Sequence, residues 1–331
     1  MKTNKQTKIP LSPAQQGIWL SQMKKPSSPH FNIGFSAYLE GEIDIDFLKN
    51  AIQIVCNQND ALRLVIEQKS GIPEQTLLEA CDVSVNLFDT SSSEKPIRTA
   101  ERLMQELVNT PFEFNGELLW KISLIRIGHN NNCMFACFHH IINDGVGCGV
   151  FFKKVCETYN FIKNGAKRPE SNFSFVNEIQ KEINNRVECK IVKNNQYWVS
   201  KFTKNLPKTI LRSSKLHAYE EQLPGGVFEY KISEKIKKKI ESYSSLNRVS
   251  VLNFMISIIA CYFYRISSVR DIVIGIAIHN RTTHSREGTV GVFSSIVPVH
   301  ISIDEEKSFK DLLPHIAQET RIAYSILNGR S

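Results

Sequence analysis

Residues 139–145 read His139-His140-Ile141-Ile142-Asn143-Asp144-Gly145. Cys133 to His140 forms an apolar run of strand length, and Val146 to Tyr159 repeats apolar residues at helical spacing. The heptapeptide therefore lies where a strand ends and a helix begins, a junction at which α/β proteins place functional groups. Adjacent side chains on a strand point to opposite faces, so one histidine can face a pocket while the other packs or hydrogen-bonds inside the lobe. Asp144 falls in the turn, where a carboxylate orients a neighbour or holds an opposite charge, and Gly145 permits close backbone approach. Three readings are open from these residues alone. A metal site needs three convergent ligands, which two opposed histidines do not supply. Satisfied core histidines beside a turn aspartate explain the pattern without chemistry, and a single pocket-facing imidazole acting as general base explains it with chemistry.

Working outward, Ser12, Pro13 and Gln15 form a helix start: a Ser cap, Pro at the first helical position, and Gln reaching back to the cap. Ile33, Phe35, Ala37 and Leu39 alternate as a half-buried strand, Phe47, Leu48, Ala51, Ile52 and Val55 repeat as an amphipathic helix, and Leu62, Leu64 and Ile66 alternate again. A helix from Pro96 to Val108 and a strand from Trp120 to Ile127 complete an α/β lobe assigned to residues 1–170. The polar stretch 160–195 contains Pro169 and is expected to carry the crossing to a second lobe, 171–331. There, strands are expected over Val227–Ile232, Asp271–Ile278 and Val290–Ile303, and helices over Ser233–Tyr243, Val251–Ile266 and Phe309–Leu327. No internal repeat is present.

Composition excludes several classes. The 331 residues are 42% hydrophobic and 22% charged, with 16 Gly and 12 Pro, which rules out disorder, collagen and coiled coil. Lys plus Arg exceed Asp plus Glu by 41 to 33, a net +8, but the excess is scattered where a nucleic-acid footprint is clustered. The densest run, Lys235 with Lys237, Lys238 and Lys239, alternates with Ile236, Ile240 and Tyr243 as a solvated helix face does. Eight cysteines stand without a CxxC pair or zinc spacing, Met1 to Pro10 has no apolar signal core, and a reducing cytoplasm is the expected setting. The most apolar segment, Val251 to Tyr264, has about 14 residues against the roughly 20 of a membrane span, and is expected to be a buried core helix.

The heptapeptide is one of several signatures in order. Leu11-Ser12-Pro13-Ala14-Gln15-Gln16-Gly17-Ile18-Trp19-Leu20 opens the chain, followed by Asp60-Ala61-Leu62-Arg63 and by Pro111-Phe112-Glu113-Phe114 with Leu118-Leu119-Trp120-Lys121. After the HHxxxDG heptapeptide come Ile274-Gly275-Ile276-Ala277 with Arg281, and Gly291-Val292-Phe293-Ser294-Ser295 with Pro298. Together these resemble the condensation domains of nonribosomal peptide synthetases, members of the chloramphenicol acetyltransferase-like superfamily. Ala277 stands where that family has Pro, and Ser295 where it commonly has Asn. Asn32-Ile33-Gly34, Asn143 to Gly147 and His279 to Thr282 resemble the starter subtype, which N-acylates at the head of lipopeptide assembly lines.

The resemblance implies a two-lobed α/β fold and an acyltransferase that moves an acyl group from a thioester to the amine of an aminoacyl carrier protein. Such a reaction needs a neutral amine, removal of its proton during attack, and stabilisation of charge on the carbonyl oxygen. By resemblance His140 is the catalytic histidine, either as base or as a hydrogen-bonding positioner of the amine, and His139 is structural. Asp144 is implied to pair with Arg281 and organise the loop, and Gly145 to let substrate and backbone come close. Arg63 is either a surface strand charge or, by resemblance, a buried structural partner. No metal and no bound cofactor are implied, because the substrates ride on the phosphopantetheine of an acyl or peptidyl carrier protein or on CoA. The implied partners are carrier protein and other synthetase modules, with no nucleic acid and no membrane. Cys148 lacks an activating third group, and Trp19 and Trp198 read as packing anchors. Family members continue past the helix matching Phe309–Leu327 with further strands, so the second lobe is expected to be incomplete, with open sheet edges and exposed apolar surface. That expectation keeps two alternatives beside the enzyme: a non-catalytic interaction module, and a free-standing CoA-dependent acyltransferase.

Overall fold

Ser12 and Gln15 cap each other: the Ser12 hydroxyl accepts from the Gln15 N–H at 3.2 Å, and the Ser12 N–H donates to Gln15 Oε1 at 2.9 Å. Pro13 then opens helix α1 (Pro13–Gln22), since its missing N–H costs nothing there. The computed structural model describes residues 7–167, 173–184, 196–202 and 229–327. The chain divides into two compact units, residues 1–185 with 279–295, and residues 186–278 with 296–331.

In the first unit, β2 (Asn32–Glu40), β5 (Val85–Asp89), β7 (Trp120–Gly128) and β8 (Asn131–His139) form a sheet in the order β2-β8-β7-β5. β8 is antiparallel to both neighbours, with Ala136 opposite Phe35 and Ile122. β5 runs parallel to β7, which requires a crossover, and α3 (Pro96–Val108) lies within it. Both faces of β8 are covered. Phe138 meets Phe151 of α4 (Gly145–Asn164) edge-on at 5.4 Å, while Cys133 on the other face lies 3.9 Å from Met104 of α3. Double burial explains why this strand reads as a continuous apolar run and not an alternating one. Helix α2 (Ile45–Gln58) packs beside α4.

A second sheet in this unit orders β1 (Thr7–Ile9), β4 (Ile72–Leu77), β3 (Leu64–Lys69) and β6 (Asn115–Leu118). Ser70 and Gly71, at φ of 52° and 80°, make the two-residue turn between β3 and β4, the left-handed pair whose twist suits a hairpin.

The units do not divide at 170/171. Helix α5 (Phe175–Asn184) belongs to the first, because Asp60 accepts the N–H groups of Phe175 at 2.8 Å and Val176 at 3.1 Å. Phe175, Val176 and Ile179 then share a core with Ile9, Ala61 and Leu64. Residues 279–295, with the short helix α9 (His284–Glu287), also belong to the first unit although they lie in the span assigned to the second lobe.

The second unit contains a helix α6 described over 196–202, α7 (Glu234–Leu246), α8 (Val251–Ser267), β9 (Asp271–Ile278), most of β10 (Ser295–Ser302) and α10 (Phe309–Leu327). β9 and β10 pair as a two-stranded sheet. Ile256 and Ala260 of α8 pack with Ile272, Ile276, Val297, Val299, Ile301 and Ile316, and Trp198 packs against this cluster. α8 is buried on one side only, contrary to the expectation of a core helix. Val251, Leu252, Ile258, Ile259, Tyr262 and Ile266 are 39–59% exposed. Among the described residues no single helix is long and apolar enough to cross a membrane. The expected strand 227–232 has no regular structure over its described part, 229–232. The expected strand 290–303 shortens to Ser295–Ser302, because backbone N–H groups ahead of it are taken by side chains of the candidate site.

Candidate active site

β8 ends at His139, and the heptapeptide turns directly into α4. The two histidines part company there. His139 is 2% exposed, boxed by the rings of Phe31, Phe112 and Phe114. Its Nε2 lies 3.2 Å from Gln22 Oε1, and its Nδ1 accepts the Ile141 N–H at 3.1 Å. His140 has left the strand, and its N–H donates to the Phe31 carbonyl at 2.7 Å. Its ring is half-buried, with Nδ1 2.9 Å from the Asn143 carbonyl. A carbonyl only accepts, so Nδ1 carries a proton, and in the neutral ring Nε2 keeps its lone pair.

Asp144 is the hub. It caps α4 by accepting the Gly147 N–H at 2.8 Å, and the same oxygen, Oδ1, receives Arg281 Nη2 at 2.8 Å. Oδ2 accepts from the N–H groups of Phe293 at 2.9 Å and Ser294 at 3.1 Å. Both charged side chains are almost wholly inaccessible, at 1% and 2%. Arg281 donates further to the carbonyls of Thr289 at 2.7 Å, Gly291 at 2.9 Å and Arg286, and its guanidinium lies 4.7 Å from the centre of the Phe293 ring. Asn143, fully buried, accepts the Gly291 N–H at 3.2 Å. These bonds draw residues 289–294 against the heptapeptide and take the N–H groups that a strand ladder would otherwise use.

The condensation-domain family model matches residues 5–325. The chain belongs to this family. It is 26% identical over 311 residues to surfactin synthase subunit 1 of Bacillus subtilis (strain 168), covering 93% of this chain and 9% of that protein. Against the dimodular nonribosomal peptide synthase of the same organism it is 22% identical over 322 residues, covering 97% and 13%. The condensation domain thus spans a small part of the length of these relatives. The first condensation domain of the calcium-dependent antibiotic synthetase, in complex with a substrate analogue, superposes with a TM-score of 0.81 at 18% identity, covering 98% of this chain and 76% of that one. A variant of the starter condensation domain of rhizomide synthetase, in complex with C8-CoA, superposes at 0.78 with 20% identity, covering 97% and 72%. The mixed α/β architecture is that of these structures.

The remaining residues singled out in this condensation domain fall in different places. Gly145 is exposed, and a Cβ there would meet only Phe35, at 3.8 Å. The crowded glycine is Gly147, where a Cβ would come within 2.0 Å of Asn143 Oδ1 and 2.8 Å of the Gly291 carbonyl oxygen. Arg63 closes a 3-10 turn and donates to the carbonyls of Leu78 and Glu79, bracing the chain after β4. Ser295 is half-buried and opens β10. Cys148 is buried, and desolvation followed by the Asp144 charge pushes its thiol far up, away from thiolate chemistry. Gln15 and Gln22, both buried on α1, carry no site pattern in the sequence, yet Gln15 Nε2 donates to the Ile141 carbonyl at 3.1 Å and Gln22 meets His139. The capping box signals Gln15 only as a helix residue, and nothing local signals Gln22.

Burial, then the neighbouring His140 and His30, push His139 down to about 3. Its value in the unfolded chain is near 6.5, so between these limits the unfolded state binds the extra proton. The contribution is therefore fully present above about pH 6.5 and is lost as pH falls toward 3, by up to about 1.4 kcal/mol per pH unit. Urea unfolding between pH 4 and 7 is expected to show this slope in the wild type. His139→Gln is expected to be less stable throughout and to lack that slope; an unchanged slope would assign it to another group.

Proposed function

We propose that this condensation domain forms an amide bond, moving an acyl group from a thioester donor to the amine of an aminoacyl group on a carrier protein. The observation that carries the reading is the posture of His140: Nδ1–H is spent on the Asn143 carbonyl, and Nε2 of a half-buried ring is left to accept. As the amine attacks the thioester carbon, its proton passes to Nε2 or is held there by hydrogen bond. The C–S bond then breaks, the thiolate leaves, and the proton returns to it. Asp144 and Arg281 organise the loop and exchange no proton, His139 is structural, and Arg63 and Ser295 support the fold around them. The peptide synthase among the relatives supports a carrier-bound acceptor. The solved starter domain with C8-CoA supports an acyl-CoA or acyl-carrier donor. We place the reaction in a reducing cytoplasm, supported by seven described cysteines that are all free thiols.

Mass spectrometry of an aminoacyl-loaded carrier protein, incubated with a panel of acyl-CoA and acyl-carrier donors, tests this. Wild type is expected to acylate the amine. His140→Ala is expected to lose about a hundredfold or more of the rate without unfolding, since that ring is not part of the core. Equal transfer by both proteins would remove His140 from the chemistry. A second reading, a non-catalytic interaction module, is favoured by the uncovered apolar side of α8; no transfer by wild type with any donor would select it.

A further inference from the structure

His139 makes two ring contacts, and one residue decides how both are used. Gln22 is 1% exposed, and its amide nitrogen donates to the carbonyls of Lys25 at 3.0 Å, Pro26 at 2.8 Å and Ser28 at 3.0 Å. Three acceptors gathered at one end of the amide leave only one orientation. A flipped side chain would set its oxygen against three carbonyl oxygens. Gln22 Oε1 must therefore face His139, and an oxygen that can only accept requires Nε2 to carry the proton.

The consequence runs through the heptapeptide. With the proton on Nε2, His139 Nδ1 keeps a lone pair and accepts the Ile141 N–H. The opposite tautomer would put two hydrogens against each other at that contact. The Ile141 carbonyl is held by Gln15, one residue further on the Ile142 N–H returns to the His139 carbonyl at 3.1 Å, and the turn then delivers the Asn143 carbonyl to the His140 ring. Gln15 and Gln22 are two helical turns apart on α1 and grip the same three-residue segment.

We propose that Gln22 is a positioning residue: by its fixed amide it sets the tautomer of His139, and through the 139–143 turn it sets the posture of the His140 ring. Its bearing on catalysis rests on the proposed role of His140, whereas its effect on the two rings does not. The site calls for a group that donates at one end and accepts at the other, which Gln22→Met removes at nearly constant length.

The test is nitrogen-15 NMR of the imidazoles in the whole chain at pH 7.5, with transfer kinetics measured alongside. Wild type is expected to show Nε2–H at His139 and Nδ1–H at His140. Gln22→Met, checked for cooperative unfolding, is expected to show mixed tautomers at His139 and averaged signals at His140. Its kcat should fall about a hundredfold, the scale of a small misplacement of a reacting group, with little change in donor KM. A folded Gln22→Met that keeps both ring signatures would overturn the proposal. If the variant does not fold, the wild-type spectrum still decides, because Nδ1–H at His139 contradicts the inferred chain of bonds. If His140→Ala retains transfer while the rings respond as stated, the catalytic role of His140 fails and the coupling stands.

Discussion

Asp144→Ala is expected to destabilise this condensation domain by about 3–5 kcal/mol, the cost of removing one partner from a buried ion pair. Asp144 and Arg281 both lie out of solvent, so the loss strands a guanidinium in the interior and does not merely return two charges to water. It also orphans the N–H groups of Gly147, Phe293 and Ser294, each of which carries a desolvation penalty when left unpaired. Against a typical total of about 5–15 kcal/mol, such a loss leaves little margin at 37 °C. Urea denaturation reads it directly. The double variant Asp144→Ala with Arg281→Met should cost less than the sum of the two single changes, because it removes the stranded charge. A single-variant loss below about 1 kcal/mol would mean that solvent reaches the pair.

Gly147→Ala and Gly149→Ala should shift stability in opposite directions although they lie two residues apart on α4. At Gly149 a new methyl has nothing within 4 Å, so the better helix propensity of alanine is expected to stabilise by about 0.5–1 kcal/mol. At Gly147 the methyl would have to displace Asn143 Oδ1, the Gly291 carbonyl and Arg281 Nη2, met at 2.0, 2.8 and 3.0 Å. All three atoms belong to the bonds that tether residues 289–294. Overpacking typically costs about 1–3 kcal/mol, and breaking the tether adds the penalty of its unpaired groups. Melting temperatures of the two variants on either side of wild type would show this difference; a shared direction would place the tether elsewhere.

That contrast marks what can be read from the sequence. β8, α4 and the Ser12 box are legible because their causes are local: an apolar run, a 3.6-residue period, and a reciprocal bond between residues three apart. The two histidines are legible as a pair with different surroundings, although β8 stops at His139 and the difference arises from a turn and not from strand alternation. Among Gly145, Gly147 and Gly149 nothing in the sequence tells which one is crowded, since the crowding atoms come from residues 281 and 291 as well as 143. Gln22 is one polar residue among several at a helix end, and its meaning lies in three carbonyls and a ring that folding brings to it. The segment 290–294 carries a strand-like alternation of Val290 and Val292, yet the Asn143 amide oxygen takes the Gly291 N–H and the Asp144 carboxylate takes those of Phe293 and Ser294. The partnership of Asp144 with Arg281 came from family resemblance, because no periodicity links residues so far apart.

The distance between those partners also sets a timetable for synthesis. Asp144 emerges 137 residues before Arg281, and the first unit is completed only by residues 279–295, after the intervening span 186–278 of the second unit has been made. At about 5–20 residues per second, the carboxylate waits roughly 7–27 s for its guanidinium. During that interval the strand, the turn and the start of α4 exist as chain without the contact that fixes them. The nascent chain is therefore most exposed to proteases and misassociation while the residues between Asp144 and Arg281 are being made.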